Sequence, residues 1–340
     1  MIKIKIVLIA GFFLLSSLHA QNIITLNPGA AKDRINKNIY GHFAEDLGRC
    51  IYGGFYVGEG NKIAANHDGV RLDIIEALKK LKIPVLRWPG GCYADHYHWR
   101  NGIGPKDQRP ATENVSWGNV RENNGFGTNE FLNLCETLHA DPYVALNVGG
   151  GSVQEAEEWV QYANHANGKS KITDLRQQNG RATPWNVKYW GIGNESWDCG
   201  GHMSAEYYAN LYKQYATLIT SYGNSEGLYR IAVGPGTEDF KWTEVLMREI
   251  PPKLIEGISI HHYSVIDWSK KGSSTGFTES EYFATMVEAY GMEKMVAGNI
   301  EVMDKYDPQK KVGLVVDEWG GWYDTDPGAD SWSLYQQNTM

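Results

Sequence analysis

The sequence predicts an α/β fold closed into a (β/α)₈ TIM barrel, and three observations carry that prediction. The 340 residues suit one barrel of ordinary size. Short β-branched runs alternate with amphipathic stretches, without a low-complexity linker or a fixed-period repeat, which implies parallel strands that return through helices. Almost every predicted strand also ends in residue types suited to chemistry. Such residues converge only where a sheet closes on itself, whereas an open doubly wound sheet gathers them at one switch point.

Taken in order, residues 1–20 open with Lys3 and Lys5, continue through the apolar run Ile6 to Leu15, and close on Ser16, Ser17, Leu18, His19 and Ala20. This pattern predicts a secretory signal cleaved after Ala20, since the apolar core is shorter than the ~20 helical residues of a membrane span. The expected location is therefore exported, periplasmic or extracellular, with no membrane attachment after cleavage. Residues 21–38 hold a predicted strand, Gln21 to Pro28, that needs a partner sheet. The barrel domain is expected over 39–340. Its strands are predicted at Ile39 to Phe43, Val85 to Trp88, Tyr143 to Val148, Val187 to Ile192, Arg230 to Val233, Ile258 to His261 and Val312 to Val316. Helices are predicted at Arg71 to Leu81, Asn129 to Leu138, Gln154 to Ala163, Ala205 to Ile219 and Tyr282 to Met303, with Thr128, Ser152 and Ser204 as caps. Seven strand-helix units are visible, so the eighth strand is expected to be missing from this sequence.

Composition narrows the function. Hydrophobic and charged fractions of 42% and 21% exclude a disordered chain and a polytopic membrane protein. Lys plus Arg (32) against Asp plus Glu (40), with no long basic run, excludes nucleic acid as the expected partner. The 12 Trp and 20 Tyr suit stacking on sugars, although core bulk accounts for most of them, so only those beside polar clusters are read as functional. Cys50, Cys92, Cys135 and Cys199 form no CxxC pair, and their pairing stays open. His96/His98 and His261/His262 come without an HExxH or a Cys/His grid, so no metal is expected.

Two segments carry the chemistry. Tyr189 to Trp197 (YWGIGNESW) places Glu195 just past a buried strand, and Val312 to Trp322 (VGLVVDEWGGW) places Glu318 the same way. Two carboxylates at one barrel mouth are what a double-displacement glycosidase requires, one attacking the sugar carbon while the other protonates the leaving oxygen. Either Glu alone reads more readily as a solvated loop charge or a helix N-terminal residue; their joint occurrence with Trp190, Trp197, Trp319, Trp322 and Tyr323 favours catalysis. A phosphate loop on Gly191 and Gly193 lacks its third glycine and its early βαβ unit. His261 and Tyr263 are two apart, so on a strand they face the barrel mouth together while His262 faces the helices.

The strings Ile39 to Gly54 (IYGHFAEDLGRCIYGG), Leu86 to Trp99 (LRWPGGCYADHYHW), Tyr189 to Trp197 and Val315 to Trp319 resemble the α-L-arabinofuranosidases of glycoside hydrolase family 51, in a clan of retaining (β/α)₈ enzymes. The resemblance implies release of terminal α-L-arabinofuranosyl groups from arabinose-decorated polysaccharides or oligosaccharides, with no cofactor. It implies Glu195 as acid/base and Glu318 as nucleophile. It further implies substrate contacts from Glu45, Arg87, Cys92, Trp99, Asn194, His261 and Tyr263, with Arg87 orienting a catalytic carboxylate by a forked hydrogen bond. The family continues through an eighth strand into a C-terminal β-sandwich, both missing here. A clan-related endo-xylanase or glucanase and a non-catalytic carbohydrate-binding protein remain alternatives, and homo-oligomerisation is left open.

Overall fold

The computed structural model describes residues 24–30, 34–224 and 227–325. The signal segment 1–20 therefore lies outside the described residues. The chain divides into a short unit ending at Asn36 and a large unit beginning at Lys37. In the short unit the predicted strand does not form over its described part: Ile24 to Asn27 is irregular, a 3₁₀ turn follows at Pro28–Ala30, and Ile24 and Leu26 are exposed. A lone strand has no ladder to satisfy its backbone groups.

Among the described residues the large unit is built on seven parallel strands in sequence order: β1 (His42–Phe43), β2 (Val85–Trp88), β3 (Asp141–Leu146), β4 (Tyr189–Ile192), β5 (Tyr229–Ala232), β6 (Gly257–Ser264) and β7 (Gly313–Gly321). The helices are α1 (Leu72–Leu81), α2 (Thr128–Leu138), α3 (Val153–Asn164), α4 (Lys171–Gln178), α5 (Ala205–Leu218), α6 (Phe240–Glu249), α7 (Glu279–Ala289) and α8 (Gly291–Tyr306). The sheet is strongly curled. Laid flat, β2 and β7 would lie about 24 Å apart, five steps of roughly 4.8 Å. Instead Arg87 on β2 and Tyr143 on β3 both hydrogen-bond to acids on β7, across the interior. This is a TIM-barrel-like arrangement, nearly closed between β7 and β1.

The reasons for the elements are local. The β2 run VLRW is buried along most of its length, as expected for a parallel strand covered on both faces. Ser152 and Ser204 cap α3 and α5 by accepting the backbone N–H of Glu155 and Tyr207. Thr128 does not cap α2: it is the first helical residue, and its hydroxyl accepts the indole N–H of Trp159. The apolar faces of α2, α3 and α5 cover the sheet, with Trp88 stacked on Phe131 and surrounded by Tyr97, Phe126 and Trp159.

Some elements differ from expectation. β1 shortens to His42–Phe43 because Lys37–Tyr40 forms a 3₁₀ turn. The long helix expected over Tyr282 to Met303 is two, breaking at Tyr290. Helices α4 and α6 are additional, as are two short antiparallel ribbons: Asn66–His67 with Val70–Arg71 before α1, and Thr112–Asn114 with Val120–Glu122 before α2. No helix among the described residues is long and apolar enough to cross a membrane.

Candidate active site

The strand ends bring most of the singled-out residues together. Glu318 lies inside the β7 ladder, opposite His261 on β6. One carboxylate oxygen accepts Arg87 Nη1 at 2.8 Å and the other accepts the Tyr263 hydroxyl at 2.9 Å. Glu195 lies just past β4, with a left-handed backbone at φ 38°, a costly conformation for a residue with a Cβ. Its Oε1 is 2.8 Å from His261 Nδ1. Within the group Glu195, His261 and Glu318, one ligand atom of each lies within 4.8 Å of the others, so the two carboxyls face one small volume. These three are also near enough to share a cation, although both Glu318 oxygens already accept protein donors.

Arg87 has a fork, as expected, but it is not spent on one carboxylate. Nη1 donates to Glu318, Nη2 donates to Asn194 Oδ1 at 2.7 Å, and Nε lies 3.5 Å from Asp317. The guanidinium thus ties β2 to β7 and to the loop after β4. Gly191 makes room for this network, since a Cβ there would press on the Tyr143 ring, whose hydroxyl donates to Asp317 Oδ2 at 2.7 Å.

Asp317 was not anticipated, and the reason is a β-bulge. Strict alternation sends neighbouring side chains to opposite faces. Here Ile260 pairs with Val316 but His261 pairs with Glu318, so Asp317 is an extra residue, and both acids turn inward with side chains almost wholly buried. Burial opposes its charge, but Arg87 and His261 outweigh burial and hold the Asp317 carboxyl below the usual range. For His261, burial alone would depress the imidazole; the carboxylates of Glu318 and Asp317 reverse this and raise it well above the ordinary histidine value. His262 faces outward as expected, its Nε2 3.0 Å from the Glu288 carbonyl on α7.

Glu45, in the loop after β1, faces the same mouth. Burial, reinforced by the nearby Glu318, pushes its carboxyl up to about 8, against hydrogen bonds from the Trp117 indole (2.8 Å) and the Tyr93 backbone (3.1 Å), both on Oε1. A neutral Glu45 offers an O–H donor from Oε2. Gly91 lets it lie there, since any Cβ would collide with that oxygen. Trp117 was missed, although it follows the polar run Glu113 to Ser116 and so fits the rule that aromatics beside polar clusters are functional. Trp322, edge-on to Tyr263 and tilted against Trp117, completes an aromatic side of the mouth. Trp319 instead points away and is 64% exposed.

Asp95 is a second unanticipated acid. One oxygen accepts the backbone N–H groups of Val148 (2.7 Å) and Gly149 (2.6 Å), and the other accepts Asn194 N–H at 3.1 Å. Burial raises its carboxyl to about 7 against these donors. Every contact on it is a donor, which suits the ionised form.

One expectation needs correction. Trp99 does not line the mouth: it is 1% exposed, stacked on Trp159 and tilted against Tyr162, and its indole donates to the Glu155 carbonyl. An apolar ring in the helix-sheet core has no face left for a sugar. Cys92, whose pairing the sequence leaves open, is disulfide-bonded to Cys199, linking the loops after β2 and β4, with the two sulfurs 4.0 and 3.5 Å from Glu195 Oε2. Cys50 and Cys135 are free.

Comparison with known proteins follows this geometry. Residues 77–276 match the family model described as the alpha-L-arabinofuranosidase 1 domain. An intracellular exo-alpha-L-arabinofuranosidase of Bacteroides ovatus is 48% identical over 342 residues, covering 99% of this chain and 66% of that protein. The GH51 arabinofuranosidase structure from Xanthomonas axonopodis pv. citri superposes with a TM-score of 0.87 at 42% identity, over 90% of this chain and 62% of that one. The arabinose complex of the Thermotoga maritima alpha-L-arabinofuranosidase gives 0.73 at 38% identity, over 84% and 56%. The chain thus spans less than two thirds of the length of these relatives. The expectation of export is overturned by the Bacteroides ovatus protein, which aligns with nearly the whole chain and is named as intracellular. Matching family model, whole-chain identity and superposed barrels agree: the chain belongs to the alpha-L-arabinofuranosidase family, in glycoside hydrolase family 51.

Proposed function

We propose that this chain carries the catalytic centre of a retaining, exo-acting α-L-arabinofuranosidase that releases terminal arabinofuranosyl groups from arabinose-containing polysaccharides or oligosaccharides. The observation that carries the reading is the approach of Glu195 and Glu318, with carboxyl atoms within 4.8 Å. Retaining enzymes place their carboxyls about 5–5.5 Å apart, whereas inverting enzymes leave roughly 6.5–9.5 Å for a water. The names of the relatives support the furanosidase over an endo-xylanase or glucanase.

In this reading Glu318 attacks the anomeric carbon as Glu195 gives its proton to the departing oxygen. A covalent glycosyl ester forms on Glu318. Glu195, now a carboxylate, then takes a proton from water, whose oxygen displaces Glu318 and restores the enzyme. Arg87 and Tyr263 aim donors at the nucleophile, so its charge is held in one place before the attack. Asn194 and Glu45 are read as the sugar-hydroxyl ligands.

The test is hydrolysis of 4-nitrophenyl α-L-arabinofuranoside. Glu318→Ala is expected to lose roughly 10⁴-fold or more in kcat, and Glu195→Ala about 10²–10⁴-fold. Normal turnover by both variants contradicts the assignment. Equal turnover of aryl xylobioside by the unmodified protein contradicts the specificity.

A further inference from the structure

We propose that Asp317 and His261 are positioning residues for the acid step: Asp317 anchors His261 as an imidazolium, and His261 Nδ1 donates to Glu195 Oε1, leaving Oε2 as the oxygen that carries the proton to the leaving group. The inference rests on the reading of Glu195 as acid/base and adds what sets its orientation.

The geometry places a hydrogen on Nε2. His261 Nε2 lies 3.1 Å from Asp317 Oδ1, which has no hydrogen bond of its own; the approach is off the ring N–H axis, an ion pair rather than an aligned hydrogen bond. A bare ring nitrogen facing that carboxylate would be repulsive, so Nε2 carries hydrogen. Nδ1 then points at Glu195 Oε1 (2.8 Å), with Glu318 Oε2 at 3.4 Å. The charged groups around the imidazole are Glu195 from the loop after β4, Asp317 and Glu318 from β7, and Arg87 from β2. Tyr263 and Tyr143 add hydroxyls, each donating to one of the β7 acids. Two cations, Arg87 and His261, therefore face the two β7 carboxylates, and the Nδ1 side of the imidazolium is turned to Glu195.

The direction of the Nδ1 bond decides which Glu195 oxygen is the acid. With Oε1 accepting from His261, the proton resides on Oε2, the oxygen beside the Cys92–Cys199 sulfurs. As the O–H bond of Oε2 breaks toward the leaving oxygen, negative charge grows on Glu195 and the N–H···O bond from His261 strengthens. The stabilisation is larger in the transition state than before it. His261 keeps its own proton throughout. The bulge that turns Asp317 inward thus has a consequence: without the extra residue, His261 would face one acid of β7 instead of two.

Asp317→Asn keeps size and removes the anchor's charge. His261 should then lose its imidazolium proton at lower pH, moving the alkaline limb of kcat/KM down by about one pH unit. The loss should be at least about tenfold greater for benzyl than for 2,4-dinitrophenyl α-L-arabinofuranoside, because only the poor leaving group needs the acid. His261→Asn places a neutral amide N–H near the position of Nδ1, so Asp317→Asn should cost little in that background. An unmoved alkaline limb, equal losses on both substrates, or an undiminished cost beside His261→Asn each overturns the proposal. If Asp317→Asn fails to fold, His261→Asn alone decides by the same leaving-group contrast. Glu195→Ala separates the underlying reading: azide should restore its turnover of the dinitrophenyl substrate. Failure of that rescue removes Glu195 as acid/base whatever Asp317→Asn does.

Discussion

The two glutamates proposed as nucleophile and acid/base are held in contrasting ways. Glu318 sits within a nine-residue strand, and both of its oxygens take donors from other strands. Glu195 lies beyond the end of its strand on a left-handed residue, and its side chain is 15% exposed against 5% for Glu318. What fixes Glu195 is mostly backbone: Asp95 grips the N–H of the preceding Asn194, and the Glu195 carbonyl accepts the N–H groups of Asp198 and Gly200. A nucleophile needs its charge pinned, so its oxygens are spent. An acid/base must give up and regain a proton, so its main chain is anchored and one oxygen stays open.

Breaking the Glu318 side should have the larger effect on the fold. Arg87→Met removes the cation from two buried carboxylates, Glu318 and Asp317, and leaves Asn194 Oδ1 without its donor. Unpairing a buried charge costs about 3–5 kcal/mol. Denaturant unfolding should show that loss, together with loss of turnover; stability within error of the unmodified protein would mean the network is not what holds the β7 acids.

A smaller change sharpens the other side. Asp95→Asn keeps an oxygen for Val148 and Gly149 but turns an amide N–H₂ toward the Asn194 N–H. One buried donor is then unsatisfied, at about 1–3 kcal/mol. Turnover of a poor leaving group should fall more than turnover of a good one, because the loop that carries the acid is loosened while the nucleophile is untouched. A uniform fall on both would place Asp95 in general stability rather than in support of Glu195.

Much of this site is legible in the residues themselves. Glu195 and Glu318 each follow a predicted strand, and the His261/Tyr263 spacing puts both side chains at the mouth, where they reach the glutamates. Strand β2 coincides with the predicted Val85 to Trp88 residue for residue. Asp317 is illegible by alternation, because the bulge shows itself only in the pairing with β6. Asp95 acts on backbone N–H groups distant in sequence, which no local pattern announces. Trp99 is the reverse case: the resemblance implies a substrate contact, but α3 supplies Trp159 and Tyr162 to bury it. Helix α4 is too polar for an apolar stripe to reveal, although its Ser170 and Thr173 capping box was there to be read.

The central claim is that Glu195 and Glu318 lie close enough for a glycosyl ester to form between attack and release. Proton NMR of the first arabinose released from an aryl α-L-arabinofuranoside, read before the anomers equilibrate, tests it directly. The account predicts the α-anomer as the initial product. Initial appearance of the β-anomer would mean single displacement by water, and the paired-carboxylate geometry would not be the working one.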